Sequence, residues 1–526
     1  MIKEAAILSK HEAPAEKVKI KEKENLKQRA YLNSVSSFIE YGGTQIVGLV
    51  VSPFIVGGLG KSMYGIWQML MQMTGYAKFT DSRATQVLKW TVAKKKDQKS
   101  EEELRRDVSS VFFVIVFTMP IAMLVGAVIS WYAPNLANVA PEYYSIVRIA
   151  CSLLMLTLVL YRVFDLFESV LRGMNLGYKR MWFRAGISLF GGLLKVLAIT
   201  LGFGLIGLGV VQVLISITTG VTIYLIVRKH VHWFGFGKTN FKQIMYFSRL
   251  SGWNMANTTT TTFLLGSDKL LLGMVAGPVL VSSYALTSFM PLAIQGLVLS
   301  GVSGIMPGIG KLLGSKEYSK ITMAWGNVNG LIYLLAAAFG VTVLLFNEAF
   351  LNIWVGDGHF SGNVANALIM MMIIQDMFVK HDGFIINATL DLKKKTYYTV
   401  CAAAIYIALG YVFINKFGIT GLCISVILGK FLLFYWQRRF LKSKVQLSQS
   451  LSFLVELRPL LVMVAMLGAA FYLTSVIPKF SLVQLFGLVP ITFLLSFFIF
   501  YWLGLPAEIR KSLMHTIRAI KFFKSA

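Results

Sequence analysis

Apolar runs of about twenty residues recur from one end of this chain to the other, and each is long enough to cross a ~30 Å hydrocarbon core as a helix. No other feature limits the fold so sharply. In lipid every backbone N–H and C=O must be satisfied inside the protein, which makes the helix the expected element. The composition agrees: 56% of the 526 residues are hydrophobic and 14% charged, whereas a soluble domain carries about 25% charge. The chain therefore reads as an all-α polytopic membrane protein. Spans are expected near 32–57, 64–92, 108–133, 143–171, 182–204, 206–228, 246–273, 278–305, 322–347, 362–391, 396–415, 418–440, 456–477 and 482–504, about fourteen in number. The stretch 64–92 is the least regular; it can cross early and continue as an interfacial helix through TQVLKWTVAKKK.

The connecting loops alternate in charge. KKKDQKSEEELRR, RGMNLGYKRMWFR, GKLLGSKEYSK, LKKK and RRFLKSK are basic, whereas GFGLIGLG, MVAGP and NKFG are short and nearly free of base. Positive loops stay in the cytoplasm, so both termini are expected there, in a multi-pass protein of the cell (inner) membrane. The net charge of +27 follows from that insertion rule and calls for no nucleic-acid partner; it favours anionic membrane lipids. Cys151, Cys401 and Cys423 form no CxxC or CxxH pattern, so neither a disulfide framework nor a metal site is expected.

An internal repeat is visible. FGLIGL at 203–208 matches FGITGL at 417–422, an offset of 214, and RGMNLGYKR at 172–180 matches NATLDLKKK at 387–395, an offset of 215. GKSMYG (60–65) against SSYA (282–285) is a weaker echo. The expected organisation is a charged cytoplasmic tail (1–30), a six-helix bundle (31–228), a cytoplasmic linker (229–245) and a second six-helix bundle (246–440). Two additional helices (441–505) and a basic amphipathic tail (506–526) complete it. Both bundles start inside, which makes a parallel repeat about the membrane normal, an arrangement transporters use with the substrate site between the halves.

LGKSMYGIWQML after the first span, SDKLLLGMVAG closing the seventh, NIWVG after the ninth and FGITGLCIS before the twelfth together resemble the Wzx-type flippases of the multidrug/oligosaccharidyl-lipid/polysaccharide exporter superfamily. The resemblance covers residues 30–505. It implies a V-shaped pair of six-helix bundles with two extra helices, alternating access, and transport of undecaprenyl-pyrophosphate-linked oligosaccharide from the inner to the outer leaflet. Family members often have an Asp-x-Gly turn where the second span ends; here KFTDSRATQ puts Arg83 in the glycine's place.

Charged groups inside spans are costly and usually face a bundle interior or a wet cavity. In FLLGSDKLLLGMV (263–275), Asp268 and Lys269 sit side by side in an apolar run. Ser251, Asn254, Thr258, Thr261 and Asp268 share a helix face, with Lys269 about 100° around the axis. Two readings stand: a wet lumen lined by this face, or a structural latch near the outer interface. Asp376 and Lys380 share a face with Gly383, Asn387 and Asp391, and are also an i,i+4 pair. Arg162, Asp165, Ser169 and Arg172 form a similar stripe beside Glu168, and the 215 offset sets Asp165 against Lys380 as a gate or ion pair. Glu40 is a lone carboxylate that can carry H+ or Na+ for coupling or be neutralised by a base. Lys195 in LFGGLLKVLAIT has no local acid; it can meet a pyrophosphate or pair with Glu40 or Glu168. Arg83 suits phosphate geometry.

No Walker A run, GxSxG or HExxH occurs, so no enzyme signature and no cofactor is read. Beside a lipid-linked oligosaccharide flippase, three readings are open: a cation-coupled drug exporter, a peptidoglycan-precursor flippase and, from another class, a membrane glycan polymerase or ligase. Glycosyltransferases and a polysaccharide polymerase are the partners a flippase would work beside.

Overall fold

The computed structural model describes residues 2–77, 80–81, 83–95, 100–252, 266–315, 317–389, 392–444, 453–476, 481–512 and 514. Its elements are helices: α1 (Ile2–Ala77), α2 (Ala84–Lys95), α3 (Glu101–Leu136), α4 (Tyr144–Gly173), α5 (Tyr178–Thr200), α6 (Gly204–His230), α7 (Asp268–Ala276), α8 (Pro278–Thr287), α9 (Phe289–Gly314), α10 (Tyr318–Val355), α11 (Asn363–Ala388), α12 (Leu392–Lys444), α13 (Phe453–Leu473) and α14 (Leu482–Leu503). Among the described residues nine helices are long and apolar enough to cross a membrane, or ten if Pro278–Thr287 and Phe289–Val302, bent by 49°, form one span. The middle of the expected seventh span, 253–265, lies outside the described residues, and with it Asn254, Thr258 and Thr261 of the polar stripe.

Two of the long helices are interrupted by a glycine, α1 at Gly60 (φ 72°, ψ 168°) and α12 at Gly418 (φ 56°, ψ −128°). At 1.5 Å per residue the 50-residue stretch Lys394–Ser443 would run to about 75 Å if straight, more than twice the ~30 Å core. It instead folds back: Gly421 abuts the backbone of Phe413 and Gly429 that of Ala402. Gly418 and Gly204 (φ 53°), the glycines matched by the 214 offset, both occupy the left-handed region that favours glycine.

The expected span 64–92 is two helices, because α1 ends at Ala77 and α2 begins at Ala84. The reason lies in the turn between them. Arg162 of α4 donates to the Ala77 carbonyl and to Thr80 Oγ1, and Thr85 Oγ1 donates to Asp165 of the same helix. Two polar side chains one helical turn apart thus cap the end of one helix and the start of the next.

The chain divides into two compact units: Met1–Val51 with Ala77–Val128 and Ser152–Ala256, and Ser52–Tyr76 with Ile129–Cys151 and Asn257–Ala526. They are drawn along different lines from the repeat, since 52–76 and 129–151 join the second unit. The first unit's core brings together Leu88 of α2, Val108 and Val111 of α3, Leu166 and Val170 of α4, and Val227 of α6. In the second unit α13 and α14 lie against the long α10, and a smaller core joins Ile321 and Trp325 of α10 to Ile385 of α11 and Phe440 of α12.

Candidate functional site

In the first unit the acids find arginines. Glu40 is 3.1 Å from Arg184 Nη1. Glu168, with 1% of its side chain exposed, collects Arg172, Arg180 (3.2 Å) and Arg184 (3.9 Å) on the single oxygen Oε1. Asp165 binds Thr85 through one oxygen and Arg172, at 3.3 Å, through the other. Lys195, partly exposed and five residues before the end of α5, has no partner among the described residues. Of its two proposed acids, both are taken by arginines.

Arg83 occupies the left-handed region (φ 55°), the conformation glycine adopts freely and other residues adopt at a cost of about 1–2 kcal/mol. Asp81 Oδ1 accepts its backbone N–H at 3.0 Å, with the guanidinium Nε 3.8 Å from Oδ2. Position 83 thus keeps the backbone of an Asp-x-Gly turn while carrying a long cation. Arg83→Gly should raise unfolding stability by about 1 kcal/mol in detergent, read as an upward shift of the thermal midpoint. A lower midpoint would mean that the guanidinium contributes more to the fold than its backbone costs.

In the second unit two clusters meet. Asp268 accepts from Gln72 Nε2 (2.9 Å) and Tyr284 Oη (2.7 Å), and Lys269 donates to Gln68 Oε1 (2.8 Å). Gln72 Oε1 takes the Leu270 N–H at 3.0 Å, and Tyr76 Oη donates to the Gly266 carbonyl at 3.1 Å. The adjacent acid and base therefore fasten residues 68–76 to the start of α7. Deeper along α11, the buried Asp376 sits between Lys380 (2.7 Å) and Lys430 (2.8 Å), and Gln295 bridges Asp376 and Lys380. A cavity of about 30 Å³, room for a water molecule, is lined by Asp268, Tyr406 and Lys430 and so touches both clusters. Asp165 and Lys380, paired by the offset, are each engaged inside their own unit.

Lys430, Gln295, Arg180 and Arg184 are absent from the sequence-derived set. A lone lysine in the run ISVILGKFLLF has the same signature that marks Lys195, so Lys430 was legible. At the end of α11, Asp382 is wholly buried, 2.5 Å from Arg438 Nε and 3.0 Å from Trp325 Nε1. Arg438 also lies over the Trp325 ring at 4.4 Å. This cluster is packed shut and belongs to the core.

A second cavity of about 610 Å³ opens among α10, α11, α12 and α13. Its lining is hydrocarbon and aromatic, including Leu368, Met371, Phe378, Phe431, Met463 and Leu467, with Gln375 and the Tyr333 hydroxyl the polar exceptions.

The family model described as polysaccharide biosynthesis protein matches residues 32–313, just over half of the chain. A Shigella flexneri protein named for O-antigen transport is 22% identical over 413 residues, covering 75% of this chain and 93% of that protein. Among solved structures, the lipid II flippase MurJ superposes with a TM-score of 0.65 at 13% identity, over 90% of this chain and 99% of its own. A multidrug transporter of the MOP superfamily gives 0.59 at 13% identity, over 78% and 95%. A Vibrio cholerae multidrug transporter gives 0.58 at 16% identity, over 81% and 99%. These likenesses show the fold.

Proposed function

This chain belongs to the polysaccharide biosynthesis protein family, and we propose on that premise that it moves an oligosaccharide linked to undecaprenyl diphosphate from the inner to the outer leaflet by alternating access. The observation that carries the lipid-linked substrate is the 610 Å³ cavity roofed by α13. Its size falls in the range of ligand sites. Its lining offers an isoprenoid tail dispersion contacts and offers a hydrated cation almost nothing. The multidrug transporters leave about a fifth of this chain uncovered and the lipid II flippase about a tenth, which favours the lipid reading over drug export.

The headgroup needs the opposite surroundings. Lys195, Arg83, Lys380 and Lys269 are the cations proposed to ease a diphosphate through a low-dielectric region, with Asp268 setting the field around Lys269. Glu40, Asp165, Arg162 and Asp376 are the groups proposed for ion coupling, by H+ or Na+, or for gating. The alternation of basic and base-poor loops supports a cytoplasmic location for both termini. Glycosyltransferases that build the glycan and a polymerase that uses it are the proposed neighbours.

The reading is tested in vesicles containing the purified protein and a fluorescent polyprenyl-diphosphate oligosaccharide. Filling the cavity with the pair Met463→Trp and Leu467→Trp should slow transfer between leaflets by on the order of tenfold, about 1.4 kcal/mol, with the protein still folded. Unchanged transfer by a folded double variant would remove the cavity from the argument; efflux of organic cations without lipid transfer would replace the flippase by a drug exporter.

A further inference from the structure

We propose that Arg172, Arg180 and Arg184 form an entry site for a phosphate-bearing headgroup at the loop end of α4 and α5, with Glu168 holding the place of the anion when none is bound. That the headgroup is the diphosphate of the substrate rests on the function proposed above; the phosphate chemistry does not.

Three guanidiniums on one carboxylate oxygen leave donors over. Each guanidinium has five N–H groups, while a carboxylate accepts about four hydrogen bonds in all. Arg172 Nε and Arg180 Nε and Nη1 are buried with no acceptor, and the Arg180 side chain is only 8% exposed. Such donors are costly to leave unmet. The groups around them are Glu40, Asp165 and Glu168 against Arg172, Arg180, Arg184 and Lys89, three acids facing four bases. One more anion with several oxygens would balance the charge and take the idle donors. Phosphate matches the guanidinium fork in the way this requires. Arg172 and Arg184 are 31% and 28% exposed, so the cluster is open on one side.

The repeat supplies an internal control. Gly383, Asn387 and Lys395 stand 215 positions after Glu168, Arg172 and Arg180. There, among the described residues, it is Lys395 that bonds across to the preceding helix, donating to the Gly383 carbonyl at 3.2 Å and to Asn387 Oδ1 at 2.7 Å. No acid stands at position 383 to gather cations as Glu168 does. A buried acid with three arginines is more than the turn demands.

The test uses the full chain in phosphatidylcholine nanodiscs, titrated with inorganic pyrophosphate by calorimetry. If the site binds phosphate, Arg184→Gln weakens pyrophosphate about tenfold, the loss of one charge-assisted contact of ~1.4 kcal/mol. Glu168→Gln removes the competing carboxylate and tightens binding by a similar factor. A structural ion-pair cluster gives the opposite sign: Glu168→Gln lowers the thermal midpoint and gains no affinity. That result, or equal binding by all three folded proteins, overturns the proposal. Repeating the titration with phosphatidylglycerol in the disc separates the sources: competition identifies an ordinary phospholipid headgroup, and undiminished pyrophosphate binding points to a diphosphate. Pyrophosphate binding without any transfer of lipid-linked oligosaccharide sinks the transport reading alone; transfer without pyrophosphate binding sinks this site alone.

Discussion

Lys195→Ala is expected to abolish glycan export in cells that depend on this chain while leaving protein abundance near normal. A cation inside a span costs at least ~2.5–3.5 kcal/mol on insertion scales, and most in this protein are offset. Lys380 and Lys430 share Asp376, and Arg184 has Glu40. Lys195 has no partner among the described residues, so its field is free to act on a passing anion. Losing it should cost on the order of a hundredfold in transfer rate, about 2.7 kcal/mol. If Lys195 were holding the fold, abundance would fall instead, and deletion of a matching acid would restore it. Normal export by a well-expressed Lys195→Ala, Arg83→Ala double variant rules out the role proposed for both.

A smaller loss is expected from one methyl group at Gly65. A Cβ there would lie 1.8 Å from the carbonyl oxygen of Pro278 and 2.6 Å from its carbon. Both obstacles are backbone, so the two segments must part, and overpacking of this kind costs about 1–3 kcal/mol or more. Directly alongside are the Gln68–Lys269 and Gln72–Asp268 contacts. Hydrogen bonds to charged groups contribute about 1.5–3 kcal/mol each, so a few can close a latch that still releases. Gly65→Ala should therefore lower transfer between leaflets by on the order of tenfold. It should also sharply reduce cross-linking of a Gln68→Cys, Lys269→Cys pair by a short bifunctional thiol reagent. Unaltered cross-linking and transfer would show that the close approach at Gly65 is dispensable.

The all-helical, many-spanned class was legible because run length is a one-dimensional property that lipid reads directly. Asp268 and Lys269 were legible for the same reason, as charges where none belongs. What lay beyond the sequence were pairings over long separations. Nothing in KFTDSRATQ says that Arg162 and Asp165 will cap both helix ends around it, so the sequence left open where within 64–92 the crossing ends. Arg180 and Arg184 fall in RGMNLGYKRMWFR, read from the sequence as a basic loop whose charge topology alone explains, which hid their convergence on Glu168 from the start of α5. Lys430 is a different case, since its apolar surroundings carried the mark already used for Lys195.

The buried pair of Asp382 and Arg438 has a consequence for how the chain is made. Its members are 56 residues apart. At about 5–20 residues per second of synthesis, the acid emerges roughly 3–11 s before the arginine that pairs with it. Asp376 waits almost as long for Lys430, though Lys380 follows it by one helical turn. During that interval α11 carries a carboxylate that lipid disfavours. The expected result is joint insertion of α11 and α12 as one hairpin, so that a chain halted before Arg438 has emerged leaves α11 extractable by alkaline carbonate; carbonate-resistant α11 in such a chain would show that it inserts without its partner.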